Sequence, residues 1–325
     1  MKIITLEDGF ITEAVAKLSF GSDLLKNVMR ASSQRINDDA VKARLDLGEI
    51  RLKQMDDAGL DMQVFSFATN QLPDAAENLK IIREGNDVGA AAVRRYSKRF
   101  ASFATIPATD PIAGAAEFKR GLTELDCVGG YIQGTINGKF LDDKKYRPIL
   151  EVAAEYKVPI YIHPYFPLPS LMETYFKGHE ELSGPVLGFA FDAGCHFLRL
   201  LSSGAFDDFP ELKIILGHLG ESIPYNLERI NNHLSLYAKD RKLKKTPAEY
   251  IRENLVVTTS GNFSPQSTLC ALSTLGPDNV LFSVDWPDES NITAVNYLKN
   301  LPISEDEREK IAHKNAERVL NLSIR

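Results

Sequence analysis

The most regular feature of the sequence is a series of short apolar runs, each followed by a longer stretch with helical spacing. Several runs, among them VPIYI, LKIIL and NVLFSV, are apolar almost throughout, which is typical of parallel strands buried on both faces. Between the runs, apolar residues recur every three or four positions. The predicted strands cover residues 2–6, 62–67, 100–106, 129–133, 159–162, 213–216, 255–259 and 280–284.

Eight alternations of strand and helix, without a break in composition, predict an α/β fold. The expected architecture is a (β/α)8 TIM barrel with long βα loops, as a single domain over residues 1–325. An open, doubly wound sheet is the alternative, but no GxGxxG segment follows the first strand to support a dinucleotide site. The long connection 165–185 is a candidate lid or oligomer contact, and the basic connection 238–250 is interpreted as a solvated surface.

The composition excludes some classes of partner. The 325-residue chain has a net charge of −6, so it lacks the basic excess that neutralises nucleic-acid phosphates. Its three cysteines are widely separated and form no CxxC pair, which favours a reducing compartment. There is no apparent signal peptide and no apolar run of about 20 residues that could cross a membrane. We expect a cytoplasmic protein without nucleic-acid or membrane partners.

Four residues with metal-binding or acid–base side chains end predicted strands. Glu7 ends the first strand, His163 the fifth, His218 the sixth and Asp285 the eighth. Because the carboxyl ends of barrel strands share one face, which carries the active site in TIM-barrel enzymes, we expect these side chains to lie together. Any one of them could be a helix cap or a hydrogen-bonded core residue. Carboxylates and imidazoles together suit a divalent cation such as Zn²⁺ or Mn²⁺.

Two further charged residues follow His218. Glu221 lies at the predicted start of the next helix, where its carboxylate can accept a hydrogen bond from the imidazole and fix its tautomer. Arg229 follows about two helical turns later, on the same helical face. The simpler alternative is a surface ion pair between Glu221 and Arg229. Two other histidines, His196 and His313, lie in predicted helices and are interpreted as structural.

Several segments of the chain resemble one known family. They are LEDGF, YIHP, FDAGCHFLRLLSSGAFDDFPELKIILGHLGE, TTSGNFS, LFSVDWPDESN and EKIAHKNAERVL. They are similar to the amidohydrolase-related superfamily, and more narrowly to its non-oxidative decarboxylases of γ-resorcylate, 2,3-dihydroxybenzoate and salicylate. The resemblance extends from the first predicted strand to the last predicted helix, and the segments with GHLGE and FSVDWP are its most specific parts.

This resemblance implies roles for the residues at strand ends. By position, the family's metal ligands fall on Glu7, His163 and Asp285, and its catalytic histidine falls on His218, supported by Glu221. The substrate's carboxylate and ortho-hydroxyl would chelate the metal, and Asp285 would protonate the ring before CO2 leaves. The resemblance also implies one divalent metal ion, with Zn²⁺ first and Mn²⁺ or Mg²⁺ as alternatives, an aromatic acid as substrate, and a homodimer or homotetramer.

Candidate contacts to the substrate come from polar and aromatic side chains near the same strand ends. Phe191 and Trp286 offer flat apolar surface for a benzene ring, although core packing is the alternative for each. Gln133, at the end of the fourth predicted strand, is a polar candidate, and Arg229 is assigned to the substrate site through its expected network with Glu221.

One position departs from the family pattern. Many superfamily members have a histidine two residues after the first glutamate, where this chain has Gly9. Strand alternation places residue 9 on the same face as Glu7, so one ligand position lacks a side chain. Some fungal-type salicylate and dihydroxybenzoate decarboxylases also have a small residue there. The expected ligand set of two carboxylates and one imidazole weakens the case for Zn²⁺ specifically and admits Mn²⁺ or Mg²⁺.

Three functions remain open from the sequence. The leading hypothesis is a metal-dependent, non-oxidative decarboxylase of an ortho-hydroxybenzoate, reversible in excess bicarbonate. The second is a metal-dependent hydrolase of a lactone or cyclic amide, in which His218 or Asp285 serves as the base for a metal-activated water. The third is a barrel that lost its metal and serves as a binding or scaffold protein.

Overall fold

A computed structural model describes residues 1–21 and 38–322 of the chain. Within these residues, parallel strands follow one another in sequence order, first β1 to β3 and then β4 to β9. They are β1 (Ile4–Phe10), β2 (Met62–Phe67), β3 (Phe100–Ser102), β4 (Ala104–Thr105), β5 (Gly130–Gln133), β6 (Ile160–His163), β7 (Ile214–Leu216), β8 (Leu255–Thr258) and β9 (Val280–Leu281).

Each predicted strand is present, and the segment 100–106 supplies both β3 and β4. The backbone changes its pairing partner between Phe103 and Ala104. Phe103 N donates to Phe65 O of β2, whereas Ala104 N donates to Gly129 O, next to β5. Parallel strands alternate with helices in the order expected for a (β/α)8 barrel, and the predicted fold class is confirmed.

Helices and helical turns connect the strands. The α-helices are α1 (Glu13–Gly21), α2 (Asp38–Leu45), α3 (Glu49–Ala58), α4 (Ala75–Arg95), α5 (Pro111–Glu124), α6 (Arg147–Tyr156), α7 (Pro169–Leu171), α8 (Gly188–Ser202), α9 (Ala205–Asp208), α10 (Leu227–Leu234), α11 (Ala238–Arg241), α12 (Pro247–Asn254), α13 (Pro265–Leu275), α14 (Asn291–Asn300), α15 (Glu305–Glu309) and α16 (Asn315–Val319). None of these helices has the length and apolar character needed to cross a lipid bilayer.

Two apolar layers hold the barrel together. Alternate strand residues, such as Leu6, Val64 and Ile215, pack inside the ring of strands. Their neighbours, such as Phe65 and Ile214, pack outward in a larger cluster with the helices. Because side chains alternate between the two faces of a strand, the nearly continuous apolar runs of the sequence supply both layers.

The contact between β1 and the segment after β9, which we call the seam, depends heavily on side chains. Val284 N donates to Thr5 Oγ1 at 3.0 Å, and Trp286 N donates to Asp8 Oδ1 at 3.0 Å. One backbone bond, from Gly9 N to Trp286 O at 3.1 Å, lies beside them. These bonds bring the carboxyl end of β1 next to the residues that follow β9.

Two histidines have the structural roles expected from the sequence. His196, on α8, is buried, and its Nε2 accepts a hydrogen bond from Leu141 N at 3.0 Å. Burial lowers the pKa of His196 to about 3, so the neutral ring serves as an acceptor. His313 lies in a π-helical turn and contacts Glu317 through Nδ1 at 3.0 Å.

Candidate active site

Glu7 lies at an irregularity in β1. The register with β2 shifts between Thr5 and Asp8, and Glu7 has a left-handed backbone with φ of 61°. Its Oε2 accepts hydrogen bonds from the hydroxyls of Tyr161, Ser260 and Thr258. Those bonds fix the carboxylate and leave the other oxygen, Oε1, available for a different partner.

The free oxygen of Glu7 faces two imidazoles. Oε1 is buried without a hydrogen-bond partner among the described residues. It lies 3.4 Å from His163 Nε2 and 3.7 Å from His218 Nε2. His163 Nδ1 lies 2.7 Å from Pro164 O, so an Nδ1–H donor there leaves the Nε2 lone pair directed at Glu7.

Glu7, His163 and Asp285 form a group that fits a divalent cation. Each offers one ligand atom, and these atoms lie within 4.8 Å of one another. A buried carboxylate oxygen without a partner is costly, and a cation bound there would satisfy it. Two carboxylates and one imidazole match the ligands that Mn²⁺ and Zn²⁺ accept in proteins, and Mg²⁺ also favours the oxygens.

The loop after β7 carries the second histidine in an unusual backbone. His218, Leu219, Gly220, Glu221 and Ser222 all have φ between 51° and 82°. A left-handed conformation costs a non-glycine residue about 1–2 kcal/mol. Leu219 N donates to Thr258 O at 2.7 Å and so anchors the turn to β8. Such strain is typical of functional sites, where surrounding contacts impose it.

This turn also corrects one expectation from the sequence. Glu221 does not begin a helix, since α10 starts only at Leu227. The two-turn spacing to Arg229 therefore does not apply. Among the bonds of the described residues, none joins Glu221 to Arg229, and Arg229 is exposed.

Glu221 instead holds His218 directly. His218 Nδ1 lies 2.5 Å from Glu221 Oε1, as expected, and His218 Nε2 lies 3.6 Å from Asp285 Oδ2. Burial alone would lower the pKa of His218, but the carboxylates of Glu221, Glu7 and Asp285 together raise it well above its usual value. The carboxylates therefore favour the protonated imidazole, whose Nδ1 donates to Glu221.

Asp285 follows β9 with a left-handed backbone, φ 77°. Burial raises the pKa of its carboxyl, and the nearby Glu7 charge acts in the same direction. Gly217 permits the close approach of the groups at the centre, because a Cβ on this residue would lie 2.5 Å from Glu7 Oε1.

A cavity of about 470 Å³ opens directly above these groups. Phe189, Pro185 and Ala190 give it an apolar side, and Phe189 packs edge-on against Phe166. Ser222 and Asn262 give it a polar side. The volume suits a small substituted ring. The acidic groups in the lining are Glu221, Asp285, Asp288 and Glu289, and the basic side chains among the described lining residues are His163 and His218.

Three of the predicted substrate contacts, Trp286, Phe191 and Arg229, do not line this cavity. Trp286 is 3% exposed, donates from Nε1 to Gln54 at 2.6 Å, and stacks under the Arg51 guanidinium, whose carbon lies 4.2 Å from the ring centre. It therefore packs in the core beside the site. Phe191 and Arg229 line an adjoining cavity of about 900 Å³ that shares Ala190, Glu221 and Ser222 with the first.

Gln133 lies beside the metal-binding group without lining its cavity. In the register of the parallel sheet it is paired with His163, and its Oε1 is buried without a hydrogen-bond partner among the described residues. The role of Gln133 as a substrate contact stays a prediction.

Sequence reasoning missed the residues that hold the ligands. Tyr161, Thr258 and Ser260 sit inside ordinary strand or turn segments, and no local pattern marks a hydroxyl that faces a carboxylate. Asp192, on α8, was also missed, although its Oδ2 accepts a bond from Tyr165 N at 3.1 Å. Burial raises the pKa of Asp192 to about 7. Inward strand alternation could have singled out Tyr161, which lies two residues before His163.

Comparison with known proteins agrees with this geometry. The amidohydrolase family model matches residues 40–322. The γ-resorcylate decarboxylase of Polaromonas sp. is 36% identical over 290 residues, covering 86% of this chain and 89% of the relative. A crystal structure of 2,6-dihydroxybenzoate decarboxylase with bound 2,6-dihydroxybenzoate has a TM-score of 0.89 and 33% identity, covering 99% of this chain and all of the other.

A second solved structure shows a metal in a related protein. It is the dihydroxybenzoic acid decarboxylase of Polaromonas sp. JS666 with bound manganese and the inhibitor 2-nitroresorcinol. Its TM-score is 0.90 at 33% identity, and the match covers 99% of this chain and 97% of that one. With the family model, the relative and both structures in agreement, the chain belongs to the amidohydrolase family, and these relatives are decarboxylases of aromatic acids.

Proposed function

We propose that this chain is a metal-dependent, non-oxidative decarboxylase of an ortho-hydroxybenzoate. The observation that carries the proposal is the buried, unpartnered Oε1 of Glu7, grouped with His163 and Asp285 beneath a ring-sized cavity. The activities named for the relatives supply the substrate class.

Glu7, His163 and Asp285 would hold one divalent cation. When bound, the cation neutralises the carboxylate and hydroxyl oxygens of the substrate and orients the ring. Zn²⁺ was the first expectation from the sequence. The manganese of the solved relative and the oxygen-rich ligand set favour Mn²⁺ or Mg²⁺ in this proposal.

Asp285 is the proposed proton donor. Its carboxyl group lines the cavity, where a general acid can reach the bound ring. The proton passes to the ring carbon that bears the carboxylate and forms a C–H bond. The bond from this carbon to the carboxylate then breaks, its electron pair restores the aromatic ring, and CO2 leaves. In excess bicarbonate the same steps run backwards.

His218 is the proposed contact for the substrate's anionic oxygen. Its Nδ1 is held by Glu221, so its cationic Nε2 points towards Asp285 at the floor of the cavity. A cation at this position attracts an aromatic acid and stabilises negative charge on the departing carboxylate.

An activity panel tests the proposal. Protein loaded with Mn²⁺ is incubated with salicylate and dihydroxybenzoates, and CO2 release is measured. Bicarbonate-dependent carboxylation of the corresponding phenols is measured in reverse. We expect both activities and their loss in Asp285→Asn. Hydrolysis of a lactone panel without any decarboxylation would support the hydrolase alternative instead.

We further propose that the chain forms a homodimer or homotetramer in the cytoplasm. The support for an oligomer is a set of exposed apolar side chains near α8 and α10, including Val186, Leu187, Phe191 and Tyr225, since large exposed apolar patches mark interaction sites. Light scattering coupled to gel filtration measures the assembly. The free cysteines support a reducing compartment, which cell fractionation tests.

A further inference from the structure

Asp8 has a buried carboxyl group that the proposed reaction does not use. It lies between Glu7 and Gly9 on β1 and has no exposed surface. Burying a carboxyl group is costly, and an apolar residue would fill the position more cheaply. Its Oδ2 has no hydrogen-bond partner among the described residues, so a reason for a carboxyl group at this position must come from the contacts of Oδ1.

The bonds of Asp8 point to that reason. Its Oδ1 accepts a hydrogen bond from Trp286 N at 3.0 Å, and Gly9 N donates to Trp286 O at 3.1 Å. Residues 8 and 9 thus bind both the backbone N–H and the backbone C=O of Trp286, and we call this pair of bonds the clamp. Trp286 directly follows Asp285, and Asp8 directly follows Glu7. The clamp therefore links the residues next to two proposed metal ligands.

Arg51 contacts both partners of the clamp. This fully buried guanidinium donates to Gly9 O at 2.9 Å and stacks over the Trp286 ring at 4.2 Å. The backbone of Trp286 is therefore tied to β1, and its ring is fixed by an interaction with a side chain of α3.

The ligands need such support, because both have a backbone that is unfavourable in isolation. Glu7 has φ of 61° and Asp285 has φ of 77°, and each left-handed residue costs about 1–2 kcal/mol. The two-residue strand β9 ends at Leu281. Bonds to the residues after β8, such as Gly261 N to Val284 O at 3.3 Å, hold the segment before Asp285 on one side, and the bonds of the seam hold it against β1 on the other.

We propose that Asp8 is a positioning residue of the metal centre, holding the backbone that carries Asp285 at a fixed distance from Glu7. This inference rests on the metal-binding part of the proposed function and does not depend on the substrate. It deepens that proposal by assigning a role to a residue that would touch neither metal nor substrate.

Titration of metal-free protein with Mn²⁺ tests the inference without any activity measurement. Asp8→Ala removes the acceptor for Trp286 N, and we expect its Kd for Mn²⁺ to rise about tenfold or more, as for other residues that orient metal ligands. Asp8→Asn keeps an acceptor oxygen without the charge, and we expect its Kd to stay within about threefold of the wild type.

Asn315→Ala is the matched control for lost stability. Asn315 Nδ2 donates to Pro277 O and Val280 O, both at 2.8 Å, so the variant weakens the opposite end of β9. Urea unfolding in metal-free buffer compares the stability of Asn315→Ala with that of Asp8→Ala. We expect the Kd of Asn315→Ala for Mn²⁺ to equal that of the wild type. If Asp8→Ala does not fold, Asp8→Ser, whose hydroxyl is too short to reach Trp286 N, replaces it with the same expected Kd.

The outcomes separate this inference from the proposed function. Equal Kd values for Asp8→Ala and Asn315→Ala would overturn the positioning role, and so would an equally weak Asp8→Asn, which would show that charge alone matters. A wild type that binds no Mn²⁺, Mg²⁺ or Zn²⁺ would overturn the metal-dependent function and, with it, this role.

Discussion

At the scale of single residues, the two carboxylate oxygens of Glu7 have different roles. Hydroxyls of Tyr161, Thr258 and Ser260 fix Oε2, while Oε1 stays available to a cation. Interactions of this kind with a metal ligand tune its orientation and affinity. The neighbouring Gly217 leaves room for the carboxylate.

Gly217→Ala tests this fit. Its Cβ would lie 2.5 Å from Glu7 Oε1, so the carboxylate must shift from the position in which it faces His163. We expect the Kd for Mn²⁺ to rise roughly tenfold or more. Circular dichroism checks that the variant is folded. A folded variant with wild-type affinity would show that Oε1 is not a ligand.

Gly9→His tests the missing ligand position. Phe10 packs in the outer cluster, so alternation directs residue 9 inward, and a Cβ there would contact only Ala68, at 3.6 Å. An added imidazole should favour Zn²⁺ over Mg²⁺ by roughly tenfold, measured by competition with a chromophoric chelator. Gly9→Ala is the control, and we expect its metal preference to match the wild type. An unchanged preference in Gly9→His would contradict an inward-facing position.

At the scale of elements, the sequence predicted the strands well and the turn after β7 poorly. Apolar runs such as LKIIL identify a buried strand because burial on both faces leaves no polar position. Ile223 fits the spacing of the following helix and is buried, yet it lies before α10. The left-handed backbone at Leu219 and Glu221 comes from contacts with distant strands, which local propensity does not contain.

Part of the candidate site could be predicted from the positions of the strands. His163 ends β6, and His218 and Asp285 lie just beyond β7 and β9, so the rule that strand ends of a barrel meet on one face identifies them. Glu7 was expected to end the first strand, but β1 continues to Phe10 and Glu7 lies at its register shift. Trp286 follows one of these strand ends too, but its side chain turns into the core against Arg51. Sequence position alone does not reveal that direction.

His196 connects α8 to the loop after β5 and gives an expected pH dependence. Burial lowers its pKa to about 3, below the usual value near 6.5, so the unfolded chain takes up a proton at pH 4 to 6 and the folded protein does not. The neutral, buried His196 therefore contributes to the free energy of unfolding in full above pH 6.5, and this contribution is lost as the pH falls towards 3.

His196→Gln removes this titration and keeps an acceptor for Leu141 N. We expect the free energy of unfolding of the wild type to fall more steeply than that of the variant, by about 1.4 kcal/mol per pH unit between pH 6 and 4. Urea unfolding at several pH values measures the difference. Parallel curves would show that His196 is protonated in the folded protein.

At the scale of the whole molecule, metal binding should stabilise the barrel. A ligand that binds only the folded state at 100 times its Kd adds about 2.7 kcal/mol to the free energy of unfolding. We expect this gain with Mn²⁺ in urea unfolding, in one cooperative transition if residues 1–325 form a single domain. His163→Ala should show no gain. A gain in that variant would place the cation elsewhere.

The seam between β1 and the segment after β9 has a consequence for synthesis on the ribosome. The proposed ligands are residues 7, 163 and 285, so a nascent chain that has reached β8 carries only two of them. Contacts between such distant residues must form across the whole barrel, which makes them slow steps in folding. We expect the cation to be acquired late, by a chain whose barrel is already assembled, so incomplete chains would not compete for the metal of the cell.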